Sequence, residues 1–312
     1  MKYFISGANG FIGGFLAQSL LEKNHDVTVF SRKFHHEIKK KLFGAKFLIG
    51  DVLKYDFSRL NERYDVIVHL ATANDIISKN RREGILLSSY GTANILEYAN
   101  SINVDKFIFF STLQVYGSDL VGHYNEYSEL NPENDYALNH IFGEQYCKFF
   151  SEQKKLKTII LRPSNVYGPF LTEKLDRWTL VPGCFCKEIM KEKSITLNSS
   201  GKQFRNFISL DQISYAVDKI CSASLEDNYT VLNLISKDNH TIYEMANLVK
   251  KEYQKIYNRG AILNVKSDSP EKGNVFSFSY ENLEKMGIEF KIGESDPIKQ
   301  IRSIFSLFQK RE

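Results

Sequence analysis

The chain has 312 residues, a formal net charge of +4, and 43% hydrophobic against 25% charged residues. That balance is ordinary for a globular protein, and the mild charge excludes a strongly basic nucleic-acid binder. The length suits one large α/β domain, or a large domain with a smaller lobe. No apolar run reaches the length of a membrane span, and the N-terminus reads as a strand with no cleavable signal, so a cytoplasmic protein without a membrane partner is expected. Cys147, Cys184, Cys186 and Cys221 show no zinc-type pairing with histidine. His69, His123 and His240 stand apart without carboxylate-rich partners, so reduced thiols and no metal are expected.

In chain order, Tyr3-Phe4-Ile5 is a short apolar strand, followed by the turn Gly7-Ala8-Asn9-Gly10-Phe11-Ile12-Gly13. Phe11, Phe15, Leu16 and Leu20 then recur at helical spacing, and Val27-Thr28-Val29-Phe30 is a second strand. A glycine triplet inside a β-α-β unit is a dinucleotide signature. Gly7 permits the turn, Gly10 lets the backbone approach a pyrophosphate, and Gly13 lets helix and strand pack. The amides of Asn9, Gly10, Phe11, Ile12 and Gly13 would meet the phosphates at the helix N-terminus.

The second strand ends in Ser31-Arg32-Lys33, where many dinucleotide folds place a carboxylate for the ribose hydroxyls. No acid repels a 2′-phosphate here, and Ser31 and Arg32 offer donors to one, so NADP(H) is expected over NAD(H). Gly50-Asp51-Val52 follows a third strand, Phe47-Ile49. Asp51, with Val52 beside it, can accept from the adenine amino group or cap the next helix. The fourth strand, Val66-His69, runs into Leu70-Ala71-Thr72, small enough for a flat cofactor to pass close. Further strands at Phe107-Phe110 and Thr158-Leu161, with helices over Arg82–Ser101 and Ala137–Gln153, predict a doubly wound parallel sheet of Rossmann type. The expected division is a dinucleotide-binding domain over 1–162 and a smaller α/β substrate lobe over 163–312, with segments able to return to the sheet.

Taken together, these marks resemble the extended short-chain dehydrogenase/reductase family, in its NAD-dependent epimerase/dehydratase branch that modifies nucleotide sugars. They include Gly7-x-x-Gly10-x-x-Gly13, Gly50-Asp51-Val52, His69-Leu70-Ala71, Ser111-Thr112 and Val115-Tyr116-Gly117. Tyr136 with Glu144, Leu161-Arg162-Pro163, Asn165-Val166-Tyr167-Gly168-Pro169 and Arg205-Asn206-Phe207-Ile208 complete the set. By resemblance, Tyr136 is the general acid/base and Thr112 its hydroxyl partner. Thr112, Gln114, Asn165, Val181 and Arg205 fall at substrate positions, Arg205 facing phosphates. Asn206 departs from the usual aspartate.

The family's lysine, four residues after the tyrosine, is His140 here. At i and i+4 the two side chains share a helix face, so His140 can reach the nicotinamide ribose. A neutral imidazole can orient that ribose, whereas a protonated one would also supply the missing positive charge. A working enzyme, a slow one and a silent dinucleotide-binding partner are all open on this substitution. Reduction asks Tyr136 only to give up a proton it already holds, so an NADPH-dependent reductase of a keto nucleotide sugar, most simply at C4 and in surface-glycan synthesis, is expected. The alternative is an epimerase with retained NAD. Leu113-Gln114 stand where dehydratases carry an Asp-Glu pair, which argues against 4,6-dehydration. A homodimer packing Arg82–Ser101 and Ala137–Gln153 is expected by resemblance.

Overall fold

Strand β1 (Lys2–Ser6) leads through the glycine turn into helix α1 (Phe11–Glu22) and then β2 (Asp26–Ser31), α2 (His36–Lys41) and β3 (Lys46–Ile49). After β4 (Val66–His69) come α3 (Arg81–Ser88), α4 (Tyr90–Ser101), β5 (Lys106–Phe110), β6 (Gly122–Tyr124), α5 (Asp135–Lys154) and β7 (Thr158–Pro163). The remainder is β8 (Asn165–Tyr167), α6 (Gly183–Glu192), β9 (Ser194–Leu197), β10 (Phe204–Ser209), α7 (Leu210–Ser222) and β11 (Tyr229–Leu234). It ends with β12 (Asn239–Thr241), α8 (Ile242–Tyr257), β13 (Ile262–Val265), β14 (Phe276–Phe278), α9 (Glu281–Lys285) and α10 (Pro297–Gln309). This computed structural model describes every residue except 61, 176, 238, 267–273, 291–296 and 310–312.

The main sheet has the order β3-β2-β1-β4-β5-β7-β11, and each neighbouring pair is parallel. Its strands are apolar throughout because both faces are covered, and successive side chains go to opposite faces. Tyr3, Ile5, Val66, Val68, Ile108, Phe110, Ile159 and Leu161 enter one core, which α1 and α7 help to close. Phe4, Ile67, Phe107, Phe109 and Ile160 enter the other, against residues of α4 and α5 such as Ile95, Leu96 and Cys147. The order turns around between β1 and β4, and at such a switch point the carboxyl ends of the strands open a crevice.

The second half of the chain does two things. It returns to the sheet through β11, which pairs with β7, and through α7, whose Ser214 hydroxyl bonds Ser19 of α1 at 2.6 Å. It also builds a separate core from Phe185, Ile189, Ile195, Leu197, Val249, Ile301, Ile304 and Phe305 on α6, β9, α8 and α10. Among the described residues no helix is long and apolar enough to cross a membrane.

The helix expected over Arg82–Ser101 is two helices, broken at Ser89. The Ser89 hydroxyl bonds back to the Ile85 carbonyl, and Thr92 bonds the Ser88 carbonyl at 2.7 Å. Short polar side chains that turn back on the preceding turn in this way bend helices.

Candidate functional site

The crevice begins at the glycine turn. Gly7 has φ +74, and a Cβ there would lie 2.8 Å from the Leu70 backbone. A Cβ on Gly13 would lie 2.7 Å from the Gly7 carbonyl oxygen, so that glycine is what lets α1 start against β1. Gly10 caps α1 with no side-chain hydrogen bond, leaving the first amides of the helix for an anion. The turn is braced from behind. Ser6 Oγ accepts from the amides of Leu70 at 3.1 Å and Ala71 at 3.3 Å, so its own proton goes to His69 Nδ1 at 2.7 Å. His69 Nε2 then faces Thr92 at 3.1 Å, and burial pushes this imidazole down to about 3, keeping it neutral.

Several of the residues expected at the cofactor have their side chains engaged within the protein. The Phe11 ring is buried against Phe170, 4.9 Å between centroids, and Ile12 packs on the core. Val52 is buried and touches the space beside Gly91 of α4. Asn9 Oδ1 accepts from the His35 amide at 2.9 Å, tying the glycine turn to the loop after β2. Asp51 Oδ1 accepts from the Leu53 amide at 3.0 Å, so Asp51 caps a turn and not the helix expected there. Ser31 is half-buried, Arg32 is exposed, and Thr72 is half-buried in the turn after β4.

The chemical groups stand on neighbouring elements. β5 ends at Phe110, and Thr112 follows with its Oγ accepting from the Gln114 amide at 3.2 Å. Asn134 caps α5 by accepting from the Ala137 amide at 2.8 Å, which sets Tyr136 in the first turn. The Thr112 hydroxyl lies near enough to the Tyr136 phenol to favour its ionised form. Burial raises this phenol above its ordinary value, while Thr112 and the Arg177 charge pull it down and Asp75 pushes it up. One turn on, the His140 ring lies 4.6 Å from the Tyr136 ring at 75°. His140 is 4% exposed, and burial pushes it down to about 4 against the opposing bond to the Phe110 carbonyl. Its Nδ1 is buried without a partner. That buried ring nitrogen without a protein partner is the kind of group that a ribose hydroxyl satisfies. The residues present thus fit a nicotinamide dinucleotide. A neutral His140 corrects the reading in which it carries the missing positive charge.

An ion pair below the site ties the ends of β5 and β7 to α5. Arg162, at the end of β7, bonds Glu144 of α5 through Nε at 2.9 Å and Nη2 at 2.6 Å, and both are buried. Glu144 also accepts from Ser111 at 2.5 Å, and Arg162 Nη1 donates to Tyr116 at 2.6 Å. The spacing of Glu144 from Tyr136 gave that contact only as a family mark.

On the other wall, β8 pairs with β10, and Asn165 Nδ2 donates to the Asn206 carbonyl at 2.8 Å. Asn206 itself is satisfied by Ser236 and Asn239, so replacing the family aspartate leaves an intact structural network. Arg205 is half-buried, bonded to the Phe204 carbonyl at 2.9 Å, and Val181 lies half-buried before α6. Gln114 is exposed, and its Oε1 accepts from Asn134 at 3.3 Å. His123 and Tyr124 belong to β6, which pairs with β14, and His123 bonds Ser277 at 3.0 Å. Among the described residues no group of three metal-ligating side chains occurs. Asp75 and Arg177, which form an ion pair at the mouth, went unnoticed in the sequence because 102 positions separate them.

The family model for the NAD dependent epimerase/dehydratase family matches residues 3–234. The human dTDP-D-glucose 4,6-dehydratase is 30% identical over 234 residues, covering 70% of this chain and 63% of that enzyme, so the chain spans less than two thirds of its length. The UDP-glucuronic acid 4-epimerase of Bacillus cereus, solved with UDP-glucuronic acid and NAD, superposes with a TM-score of 0.82 at 21% identity and full coverage of both chains. The UDP-glucose 4-epimerase of Thermotoga maritima, solved with UDP-glucose, gives 0.82 at 21% identity, covering 100% of this chain and 99% of its own. At those identities the two solved structures speak for the fold. From the matched family model and the human relative, the chain belongs to the NAD dependent epimerase/dehydratase family of extended short-chain dehydrogenases/reductases.

Proposed function

We propose that the chain is a nucleotide-sugar 4-epimerase that keeps NAD bound through its cycle. The observation that carries this reading is a single proton carrier: the Tyr136–Thr112 pair, followed by buried Leu113 and exposed Gln114. Eliminating water from a sugar needs an acid for the leaving hydroxyl and a base for the adjacent carbon, and neither residue can titrate. Epimerisation needs only one proton, taken from a sugar hydroxyl and later returned to it. Tyr136 holds and moves that proton, Thr112 fixes the sugar oxygen, and His140 Nδ1 and the amides at the start of α1 hold and orient the dinucleotide. A nicotinamide dinucleotide bound there supplies the reversible hydride acceptor. Arg205 and Asn165 are the residues we assign to the nucleotide diphosphate and sugar.

This reading replaces the expected NADPH-dependent reductase. Arg32 and Lys33 are exposed, so the lack of an acid after β2 makes room for a 2′-phosphate without calling for one. The structural relative from Bacillus cereus carries NAD. We also propose a homodimer through α3, α4 and α5, which expose Ile85, Leu86, Tyr90, Leu138, Tyr146 and Phe149. The test is to denature fresh protein, identify the released dinucleotide by mass, and follow C4 inversion of UDP-glucose, UDP-glucuronic acid and UDP-N-acetylglucosamine. NAD in near-equal amount with the protein, and inversion that falls by about 10²- to 10⁴-fold in Tyr136→Phe, are expected. Empty sites that prefer NADPH and reduce a keto sugar nucleotide would restore the reductase reading.

A further inference from the structure

The turn after β4 is the part of the crevice against which the glycine turn rests. A Cβ on Gly7 would lie 2.8 Å from the Leu70 carbonyl carbon and 2.9 Å from the Ala71 nitrogen, so the two backbones touch there. Buried side chains hold the second of them from behind. We propose that His69, fixed as its Nε2–H tautomer, is the positioning residue that ties this turn, Leu70–Ala73, to helices α3, α4 and α5. The proposal rests on the crevice being a dinucleotide site, and not on which sugar reaction follows.

The tautomer follows from counting donors. Ser6 Oγ accepts from the Ala71 amide at 3.3 Å and from the Leu70 amide at 3.1 Å, the latter shared with the Ser6 carbonyl. With both lone pairs engaged, the hydroxyl has only its proton to offer His69 Nδ1, 2.7 Å away, so Nδ1 accepts. At the other end Thr92 donates its proton to the Ser88 carbonyl at 2.7 Å. It is therefore the acceptor for His69 Nε2–H, 3.1 Å away. Both ends demand the same form of the ring. The path then returns to the turn, because Ser88 Oγ accepts from the Ala73 amide at 3.1 Å. Ser6, His69, Thr92 and Ser88 are all fully buried, so water does not replace a lost partner.

The far end is anchored on the helix that carries Tyr136. Ser88 is the last residue of α3, and a Cβ on Gly84 of that helix would lie 2.5 Å from Asn139 Nδ2 of α5. Asn139 stands between Tyr136 and His140 in the sequence. The His69 ring also meets Phe109 at 5.9 Å between centroids, and Phe109 meets His140 at 6.1 Å. Opposite Phe109 the helix has only a glycine, Gly143. His69 is thus joined to the cofactor turn by hydrogen bonds and to α5 by packing. A leucine in its place would fill much of the space and break the path at both nitrogens.

The test needs no turnover. In protein carrying isotopically labelled histidine, magnetic resonance of the His69 ring should show a proton on Nε2 and none on Nδ1. Its signals are identified by their loss in His69→Leu. That variant should speed hydrogen exchange of the Ala71 and Ala73 amides about tenfold. It should also raise the dissociation constant of NAD, titrated into dinucleotide-free protein, about tenfold. Thr92→Val keeps the shape of the side chain and breaks only the far end, so both readings should move the same way by about threefold. Thr28→Val is the control. Thr28 is equally buried and accepts from Tyr64 at 3.2 Å in the same half of the fold, and its loss should leave both readings unchanged whatever it does to thermal stability. A proton on Nδ1 would overturn the proposal. So would folded His69→Leu and Thr92→Val proteins that differ from wild type no more than Thr28→Val does, and Thr92→Val alone decides if His69→Leu does not fold. Failure of the epimerase reading would appear separately, as intact His69 effects in a protein that inverts no sugar nucleotide.

Discussion

Acidification of the dinucleotide-free protein should destabilise it through two buried histidines. His69 is fully buried and His140 is 4% exposed, and burial holds them at about 3 and about 4. In the unfolded chain both take up a proton below about pH 6.5. Below that pH the unfolded state binds more protons, so the stability these histidines contribute is complete above about 6.5 and falls as pH drops toward their folded values. Between about pH 7.5 and about pH 5 each should cost about 2 kcal/mol, about 4 kcal/mol together. Against a typical stability of about 5–15 kcal/mol that is a large fraction. The lowered carboxylates, Glu252 among them, join only below about pH 4.3. His25, lowered by burial but at the surface, adds a small part common to every variant. The assay is urea denaturation at the two pH values for wild type and His140→Gln. The variant should lose only about half as much stability on acidification, about 2 kcal/mol. A wild-type loss under about 1 kcal/mol, or an undiminished loss in His140→Gln, would refute the picture of two neutral buried imidazoles.

Three other outcomes follow from named contacts. Gly13→Ala puts a Cβ 2.7 Å from the Gly7 oxygen, and should cost about 1–3 kcal/mol in urea denaturation while weakening dinucleotide binding in a fluorescence titration. Arg162→Met leaves Glu144 buried without its bidentate partner, and a loss of about 3–5 kcal/mol is expected in the same denaturation assay. Phe149→Glu places a charge at an exposed apolar position of α5, so if the proposed dimer forms there, light scattering should give a dimer's mass for wild type and a monomer's for the variant.

The strands were readable because burial on both faces makes them continuous apolar runs, and Tyr3-Phe4-Ile5 to Thr158-Leu161 lie where that rule puts them. The glycine turn was readable because each glycine answers a local steric demand, now visible as a missing Cβ clearance at Gly7 and Gly13. The break at Ser89 was missed because helical periodicity is insensitive to a hydroxyl that turns back on its own helix. What failed more widely was anything depending on distant partners. The pairing of β6 with β14 joins residues about 150 positions apart, and Arg177 finds Asp75 across the crevice. The charge of His140 was unreadable for a related reason: i+4 spacing says where the ring lies, whereas its protonation depends on how much of the fold covers it.

The direction of the chemistry follows from the same residue. A lysine beside the tyrosine would favour the phenolate strongly, whereas a neutral His140 leaves Tyr136 protonated at rest near neutral pH, its phenol raised by burial. On that ground alone a one-way reduction, which begins with a protonated tyrosine, looks better suited than an oxidation. Epimerisation contains both halves, and Tyr136 must both accept and return the same proton, so its affinity for that proton need not be low. A phenol near balance with a sugar hydroxyl serves a cycle that ends where it began, because neither half-step then runs far downhill. Desolvation by the core favours the protonated phenol and Thr112 works against it, so the proton is held without a lysine. The substitution at position 140 thus agrees with a catalyst that borrows a proton and gives it back.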